Sequence, residues 1–422
     1  MAEEIFDKTK YVKECEQKLA DKFKAIDEIS FYNQAKVCEA FAENRIAARH
    51  FSGTTGYGYG DEGRDCLGKV YARAFGAEDG IVSPHILSGT HALTVALFGL
   101  LRPGDTLFCI SGLPYDTIRG VIYGDGNGSL KDFGIKFRCC DLADGKFDYQ
   151  AIKTGLAEAK VVYIQRSRGY ELRDAFSVDE IADTCAFVRK NGFKGCIFVD
   201  NCYGEFVEKR EPTEVGADII VGSLIKNPGG GLAQTGGYIC GKADYIDMIG
   251  KRLTASSIGT EVGSHALGYQ YYYQGFFMAP HTVAQALKCS LLIGEAMAGL
   301  GYKNYPPADE LPHDITRAIE FGDADKMVNF IREVQYASPV DGYVTCEPWD
   351  MPGYDDKIIM AAGTFVSGAS IELSADGPVK PPYIAYFQGG LTYEHGRYAL
   401  MKILYISFMS LSSNFRKISL SL

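Results

Sequence analysis

Lys226 lies between small residues and a run of three glycines, in the stretch VGSLIKNPGGG from Val221 to Gly231. The hydrophobic text DIIVGSLI carries this amine toward an interior. An amine that condenses with an aldehyde must shed its proton, which burial or a neighbouring positive charge favours. Asp200 ends another apolar run, CIFVDN. A carboxylate at the carboxyl end of a buried parallel strand stands where α/β sheets bind ligands. LSGTHALTVALFGLL sets Ser88, Gly89 and Thr90 at the start of an apolar helical pattern, where free amides and the helix dipole hold a phosphate. Ser223, just before the lysine, offers a hydroxyl to the same anion. Tyr115, in SGLPYDTIRG after the strand-like TLFCI, is placed to stack on a flat ring, and Tyr57 and Tyr59 lie in the glycine loop FSGTTGYGYGDEGR.

An amine nucleophile, an anion cup, a stacking ring and a carboxylate fit to pair with a protonated ring nitrogen converge on pyridoxal 5'-phosphate. Lys226 is the expected Schiff-base residue, and the glycines after it are expected to let backbone and cofactor approach closely. Each signal has a plainer reading alone: a surface lysine, a polar strand end, a serine-capped helix. Their order along the chain is more specific than any member.

The elements that must position these residues follow from composition and periodicity. At 422 residues and 46% hydrophobic, the chain can bury a large core, divided between two domains. A net charge of −10 and a pI near 5.3 oppose a nucleic-acid or anionic-membrane partner. The opening MAEEIFDKTK is polar and acidic where a secretory signal needs a basic start and an apolar run. Runs such as VALFGLL and YALMKILYISF are too short to span a bilayer. Twelve scattered cysteines without a Cys-x-x-Cys pair, and seven histidines that do not cluster with them, point to a reduced cytoplasm and to no metal site.

Val12, Cys15, Leu19, Phe23 and Ile26 form one helical stripe, and Ser30 is expected to cap a second helix carrying Val37 and Phe41. From about residue 80 strand-like runs (TLFCI, KFRCCD, VVYIQR, CIFVDN, DIIVGSL) alternate with helix-like segments such as SVDEIADTCAFVRKNG. That alternation implies an α/β fold with a mostly parallel sheet sandwiched by helices. The expected organisation is a helical arm over 1–50, a large cofactor-binding domain over 51–300 and a smaller C-terminal α/β domain over 301–422. Pro306–Pro307 marks that boundary, and the tail after about 405 reads unlike the rest.

The strings GYGYGDEGR, SGTHAL, GLPYDT, VDNCYGEF, GSLIKNPGGG and QGGLTYEH resemble, in content and order from about residue 10 to 400, the cystathionine/methionine γ-lyase-like enzymes of fold-type I, in the branch called aluminium resistance proteins. The resemblance implies a carbon–sulfur lyase acting on a sulfur-containing amino acid. In it Lys226 is also the base at Cα, and Asp200 pairs with the pyridine nitrogen. Ser88, Gly89, Thr90 and Ser223 hold the phosphate, and Tyr115 stacks and protonates the leaving group. Arg168, in QRSRGY, faces the cofactor's O3′ side. Tyr57 and Tyr59 reach a neighbouring subunit's phosphate, which implies a homodimer or homotetramer. One departure stands out: where the wider superfamily has Arg-x-Ser for the substrate carboxylate, this chain has SIELSADGP with Glu372, leaving Lys380 or Arg397 as substitutes. Two other readings stand beside the lyase: another fold-type I reaction (transamination or aldol cleavage), and a stress-response protein that keeps the fold without catalysis.

Overall fold

A computed structural model of the chain describes residues 7–351 and 354–411, with side chains described up to 404. It divides into two compact units, one of Glu28–Val283 and one of Met1–Asp27 with Ala284–Leu422. The expected tail beyond 411 lies outside the described residues.

The first helix, α1 (Lys8–Glu43), is one element. Val12, Cys15, Leu19 and Ile26 are buried along its stripe. The expected restart at Ser30 does not occur. Buried Asn33, Val37 and Ala40 continue the stripe, and the Ser30 hydroxyl donates instead to the Pro280 carbonyl at 3.1 Å. A serine whose hydroxyl is satisfied elsewhere is tolerated inside a helix.

In the larger unit, α2 (Glu62–Ala74), β1 (Asp79–Ser83), α3 (Gly89–Leu100), β2 (Thr106–Cys109), α4 (Asp116–Tyr123) and β3 (Lys136–Cys139) come first. Then follow α5 (Tyr149–Gly155), β4 (Val161–Gln165), α6 (Val178–Lys190), β5 (Cys196–Asp200), β6 (Ile219–Ser223), β7 (Gly237–Gly241), α7 (Ala243–Leu253) and α8 (Gln270–Gly299). The strands form a seven-stranded sheet in the order β1-β7-β6-β5-β4-β2-β3. β6, β5, β4, β2 and β3 are parallel, and β7 runs antiparallel between β1 and β6. This is the mostly parallel α/β sheet that the alternating text implies.

Both faces of the sheet are covered, as a parallel sheet requires. On one, Leu93, Ala96 and Leu97 of α3 pack with Phe198, Val221 and Ile239. On the other, an aromatic cluster forms: Tyr71 stacks on Phe276 at 3.7 Å between centroids, and Phe75, Phe206 and Tyr238 close around them. α8 has the length and apolar composition of a membrane span, but 72% of its most apolar window is buried inside the protein, as in a core helix.

The smaller unit holds β8 (Lys303–Tyr305), β9 (Thr316–Glu320), α9 (Ala324–Ala337), β10 (Ile358–Ala361), β11 (Ser374–Pro378), β12 (Ile384–Gln388) and α10 (Tyr393–Leu411). Its five strands are all antiparallel, in the order β10-β11-β12-β9-β8.

Phe276 is fully buried at the centre of the aromatic cluster. Phe276→Ala is expected to lower unfolding stability by about 3–5 kcal/mol, lost transfer energy plus a cavity, measured as a shift in the urea unfolding curve.

Candidate active site

The register of the sheet brings the predicted residues to one edge. Gln165 at the end of β4 pairs with Asp200 at the end of β5, and Asp200 pairs with Val221 of β6. β6 continues to Ser223 and then to Lys226, which precedes a 3₁₀ turn, Asn227–Gly229. The half-buried amine of Lys226 lies 3.9 Å from the centroid of the Tyr203 ring. Burial works against its ammonium, but the carboxyl groups of Asp200 and Glu205 are among the neighbours that raise its pKa above the ordinary lysine value. With these neighbours the amine holds its proton.

Asp200 is buried. Its Oδ2 accepts from the Tyr163 hydroxyl at 3.2 Å and its Oδ1 from the Cys202 amide at 3.2 Å. Burial raises its pKa, opposed by the Lys226 ammonium and these donors. Burial also drives the Cys202 thiol well above the usual range, so it stays neutral.

At the start of α3 the Ser88 hydroxyl caps the helix, accepting from the His91 amide at 3.1 Å. The amides of Gly89 and Thr90 precede any intrahelical acceptor, and among the described residues neither meets one from elsewhere. A Cβ added at Gly89 would come within 3.3 Å of the Ser223 Cβ and 3.4 Å of the Cys202 sulfur. The helix start, the end of β6 and the residues after β5 therefore enclose one small cup. Thr90 Oγ1 meets Thr117 Oγ1 at 3.0 Å.

Tyr115 leads into α4, its amide donating to Gln165 Oε1 at 2.6 Å. Its ring lies against Gly169, whose φ of 59° and absent Cβ make room; an added Cβ would sit 2.9 Å from Tyr115 Cδ2. The loop after β4 is fixed by arginines. Arg166 is fully buried and donates to Asn201 and Gly204 at 2.9 Å each and to Glu208 at 2.8 Å. Arg173 donates to the carbonyls of Gln165 at 2.9 Å and Ser167 at 2.7 Å. Arg168 is also fully buried, with Asp174 at 3.5 Å.

Two of the glycines after the lysine let backbone come close. A Cβ at Gly229 would lie 1.7 Å from the Leu224 carbonyl, and one at Gly230 would lie 2.2 Å from the Gly275 carbonyl. They admit protein backbone, and Gly230 adds a positive φ of 57°. Tyr57 and Tyr59 stand apart from the cup, 71% and 65% exposed, with rings 5.4 Å apart.

In the smaller unit Glu372 is buried, and its carboxylate accepts from the amides of Phe365 and Val366 at 2.9 Å each. Lys380 pairs with Asp356 at 2.5 Å and Arg397 with Glu16 at 2.9 Å.

The family model for methionine γ-lyase matches residues 8–407. The chain belongs to the methionine γ-lyase family. A solved structure from Listeria innocua, provisionally described as a cystathionine β-lyase involved in aluminium resistance, is 48% identical, covers 95% of this chain and 99% of that one, and superposes with a TM-score of 0.93. A carbon–sulfur lyase involved in aluminium resistance from Clostridium novyi is 45% identical over 94% of this chain and 95% of that one, with a TM-score of 0.91. The uncharacterised protein YnbB of Bacillus subtilis is 50% identical over 92% of this chain and 93% of its own length. A pyridoxal-phosphate-dependent protein from Escherichia coli, 19% identical with a TM-score of 0.61, shares the fold, which is fold-type I. The chain is thus an enzyme of the lyase type.

Pyridoxal phosphate is the cofactor that goes with this family, and the cup fits it. Two donor-ready amides meet a hydroxyl-bearing strand end, and the lysine and a buried carboxylate stand on the same edge. The residues that sequence reading passed over lie in the text after Asp200. Tyr203 has a positive φ of 74°, and Glu205 is fully buried. The signal was the polar content of NCYGEF, set between apolar runs.

Filling the cup and uncapping the helix separate by readout. Gly89→Val is expected to weaken pyridoxal phosphate binding at least about tenfold in an absorbance titration, since the anion loses its close approach to the amides. Ser88→Ala is expected to lower stability by about 1 kcal/mol in thermal unfolding.

Proposed function

We propose that this chain is a pyridoxal-phosphate-dependent carbon–sulfur lyase that cleaves a sulfur-containing amino acid of the methionine or cystathionine type by elimination. The observation that carries the reading is the joint placement of Lys226, Asp200, Ser223 and the start of α3 on one sheet edge. When bound, the cofactor supplies an aldehyde for amines and a ring that takes up the electron pair left at the substrate's Cα.

The chain's own residues then divide the work. The amides of Gly89 and Thr90, with the Ser223 hydroxyl and the dipole of α3, donate to the phosphate. The Asp200 carboxylate, fixed by Tyr163 and the Cys202 amide, accepts from the ring nitrogen and keeps it protonated. Lys226 is the residue we assign to the covalent bond and to the proton at Cα, which it takes as a neutral amine and returns as an ammonium. Tyr115 would cover the ring and supply the proton for the departing sulfur, and Arg168 would help hold the cofactor from the loop after β4. Tyr57 and Tyr59, exposed in the single chain, are assigned to the phosphate of a neighbouring subunit in a dimer or tetramer. Twelve cysteines without a disulfide support a reducing compartment such as the cytoplasm.

The loaded protein is expected to release a 2-oxo acid and a thiol from at least one of methionine, cystathionine, cysteine and homocysteine. Lys226→Ala should keep the far-ultraviolet spectrum of the wild type, lose the visible absorption band and lose turnover by at least about a thousandfold. A variant that still turns over at the normal rate, or a wild type that forms neither product from any of the four, overturns the assignment.

A further inference from the structure

The segment after β5 carries backbone strain that the proposed chemistry does not use. Tyr203 and Phe206 both hold a left-handed backbone, with φ of 74° and 61°. A bulky residue in that region is strained, and it persists only where its surroundings over-determine it. They do so here. Arg166 donates to the Asn201 side chain and the Gly204 carbonyl at 2.9 Å each. Asn33 of α1 donates to the Phe206 and Glu208 carbonyls at 3.1 and 2.9 Å, and the Glu211 carboxylate accepts from the Phe206 amide at 2.8 Å. Asn227, next to Lys226, donates through its side-chain amide to the carbonyls of Tyr203 and Glu205 at 3.0 Å each.

The Asn227 tie joins the strained tyrosine to the lysine's own turn. Lys226 Nζ lies 3.9 Å from the centroid of the Tyr203 ring, well inside the roughly 6 Å over which a ring face attracts a cation. Among the described residues Nζ makes no ion pair and no hydrogen bond, which leaves the ring as its direct contact. The titratable groups around it are Asp200 at the end of β5, Cys202, Glu205 and Tyr203 itself. Glycine is the residue that a φ of 74° favours, but glycine at 203 would bring no ring.

We propose that Tyr203 is a positioning residue for Lys226: its ring face holds the lysine as an ammonium whenever the lysine is not bonded to the cofactor. The strained backbone is what sets the ring under the amine. The negative face of the ring attracts the charged form and does little for the uncharged amine, so the contact sets how readily free Lys226 gives up its proton. The inference rests on Lys226 being the amine that holds the cofactor.

The test reads the lysine in full-length protein before loading with pyridoxal phosphate. Trace acetic anhydride acylates only the uncharged amine, so at about pH 8, below the lysine midpoint, the rate at Lys226 follows the fraction of amine. Exposed Lys13 is the internal reference, and both peptides are read by mass spectrometry. Tyr203→Phe keeps a ring face and is expected to label within about twofold of the wild type. Tyr203→Leu removes the face, and labelling of Lys226 relative to Lys13 is expected to rise about tenfold. Pentafluorophenylalanine introduced at 203 by codon suppression keeps the ring's shape and reverses the sign of its face, and should raise labelling at least as much as Tyr203→Leu.

Unchanged labelling in either of the last two proteins, once folded, overturns the proposal. So does a rise in Tyr203→Phe equal to that in Tyr203→Leu, which would assign the effect to the hydroxyl. If Tyr203→Leu does not fold, the fluorinated ring, which packs like phenylalanine, decides by the same criterion. The cofactor reading fails by another sign: pyridoxal phosphate added to the wild type produces no visible band, whatever the labelling ratio.

Discussion

Everything at this sheet edge depends on one charged amine held among buried acids. Burial disfavours the ammonium of Lys226, and the carboxyls of Asp200 and Glu205 are among the groups that offset that cost. Burial in turn raises the carboxyls of Asp200 and Glu205, and the Lys226 ammonium opposes that rise. The Tyr203 ring, 3.9 Å from the amine, adds the attraction of a π face to a desolvated cation. Such an arrangement holds its positions before any ligand arrives, and that is the property a covalent site needs.

The surrounding architecture fixes the geometry of that balance. Parallel strands deliver their carboxyl ends to one edge, and the registers Gln165–Asp200 and Asp200–Val221 align three neighbouring ends to within a few residues. The loop after β4 would be free to wander, but buried Arg166 and the carbonyl-binding Arg173 fasten it. Gln165 then links the loop before α4 to that edge by accepting from the Tyr115 amide. The turn after Lys226 is pinned from behind, because Gly229 and Gly230 let it touch the backbones of Leu224 and Gly275. A side chain at either position would push the lysine's turn out of place.

Much of this was legible in the sequence, and the reason differs by feature. Strand–helix alternation is a local signal, so the α/β class and the five parallel strands followed from short stretches of text. Lys226, Asp200, Gly89 and Ser223 stood out because their residue types sit badly in their surroundings, and the fold brings them to one sheet edge. The failures share one cause: a partner distant in the chain. Ser30 looked like a cap because nothing local told that its hydroxyl would meet Pro280. The backbone that Gly230 meets was hidden in the same way, because Gly275 lies on another element. Glu205 was passed over because its meaning comes from Gly222 and Tyr238, which a reader meets only after β6 and β7 have paired.

That pairing shows how one strand serves both faces of the sheet. Successive residues of β6 point to opposite faces. Ser223 faces the start of α3, where the anion cup forms, and Gly222 faces Tyr238 and Glu205. Antiparallel β7 matters here, since its register sets Tyr238 directly beside Gly222 and brings the hydroxyl to the buried carboxyl. The side of the sheet that carries the cup thus presents hydroxyl and amide donors. The opposite side presents an acid backed by the aromatic cluster of Tyr71, Phe75, Phe206 and Phe276. Lys226 lies past the end of the strand, where its charge is coupled to acids associated with both faces. A strand of ordinary β geometry, interrupted by one glycine, therefore separates the cup at the start of α3 from the buried carboxyl of Glu205.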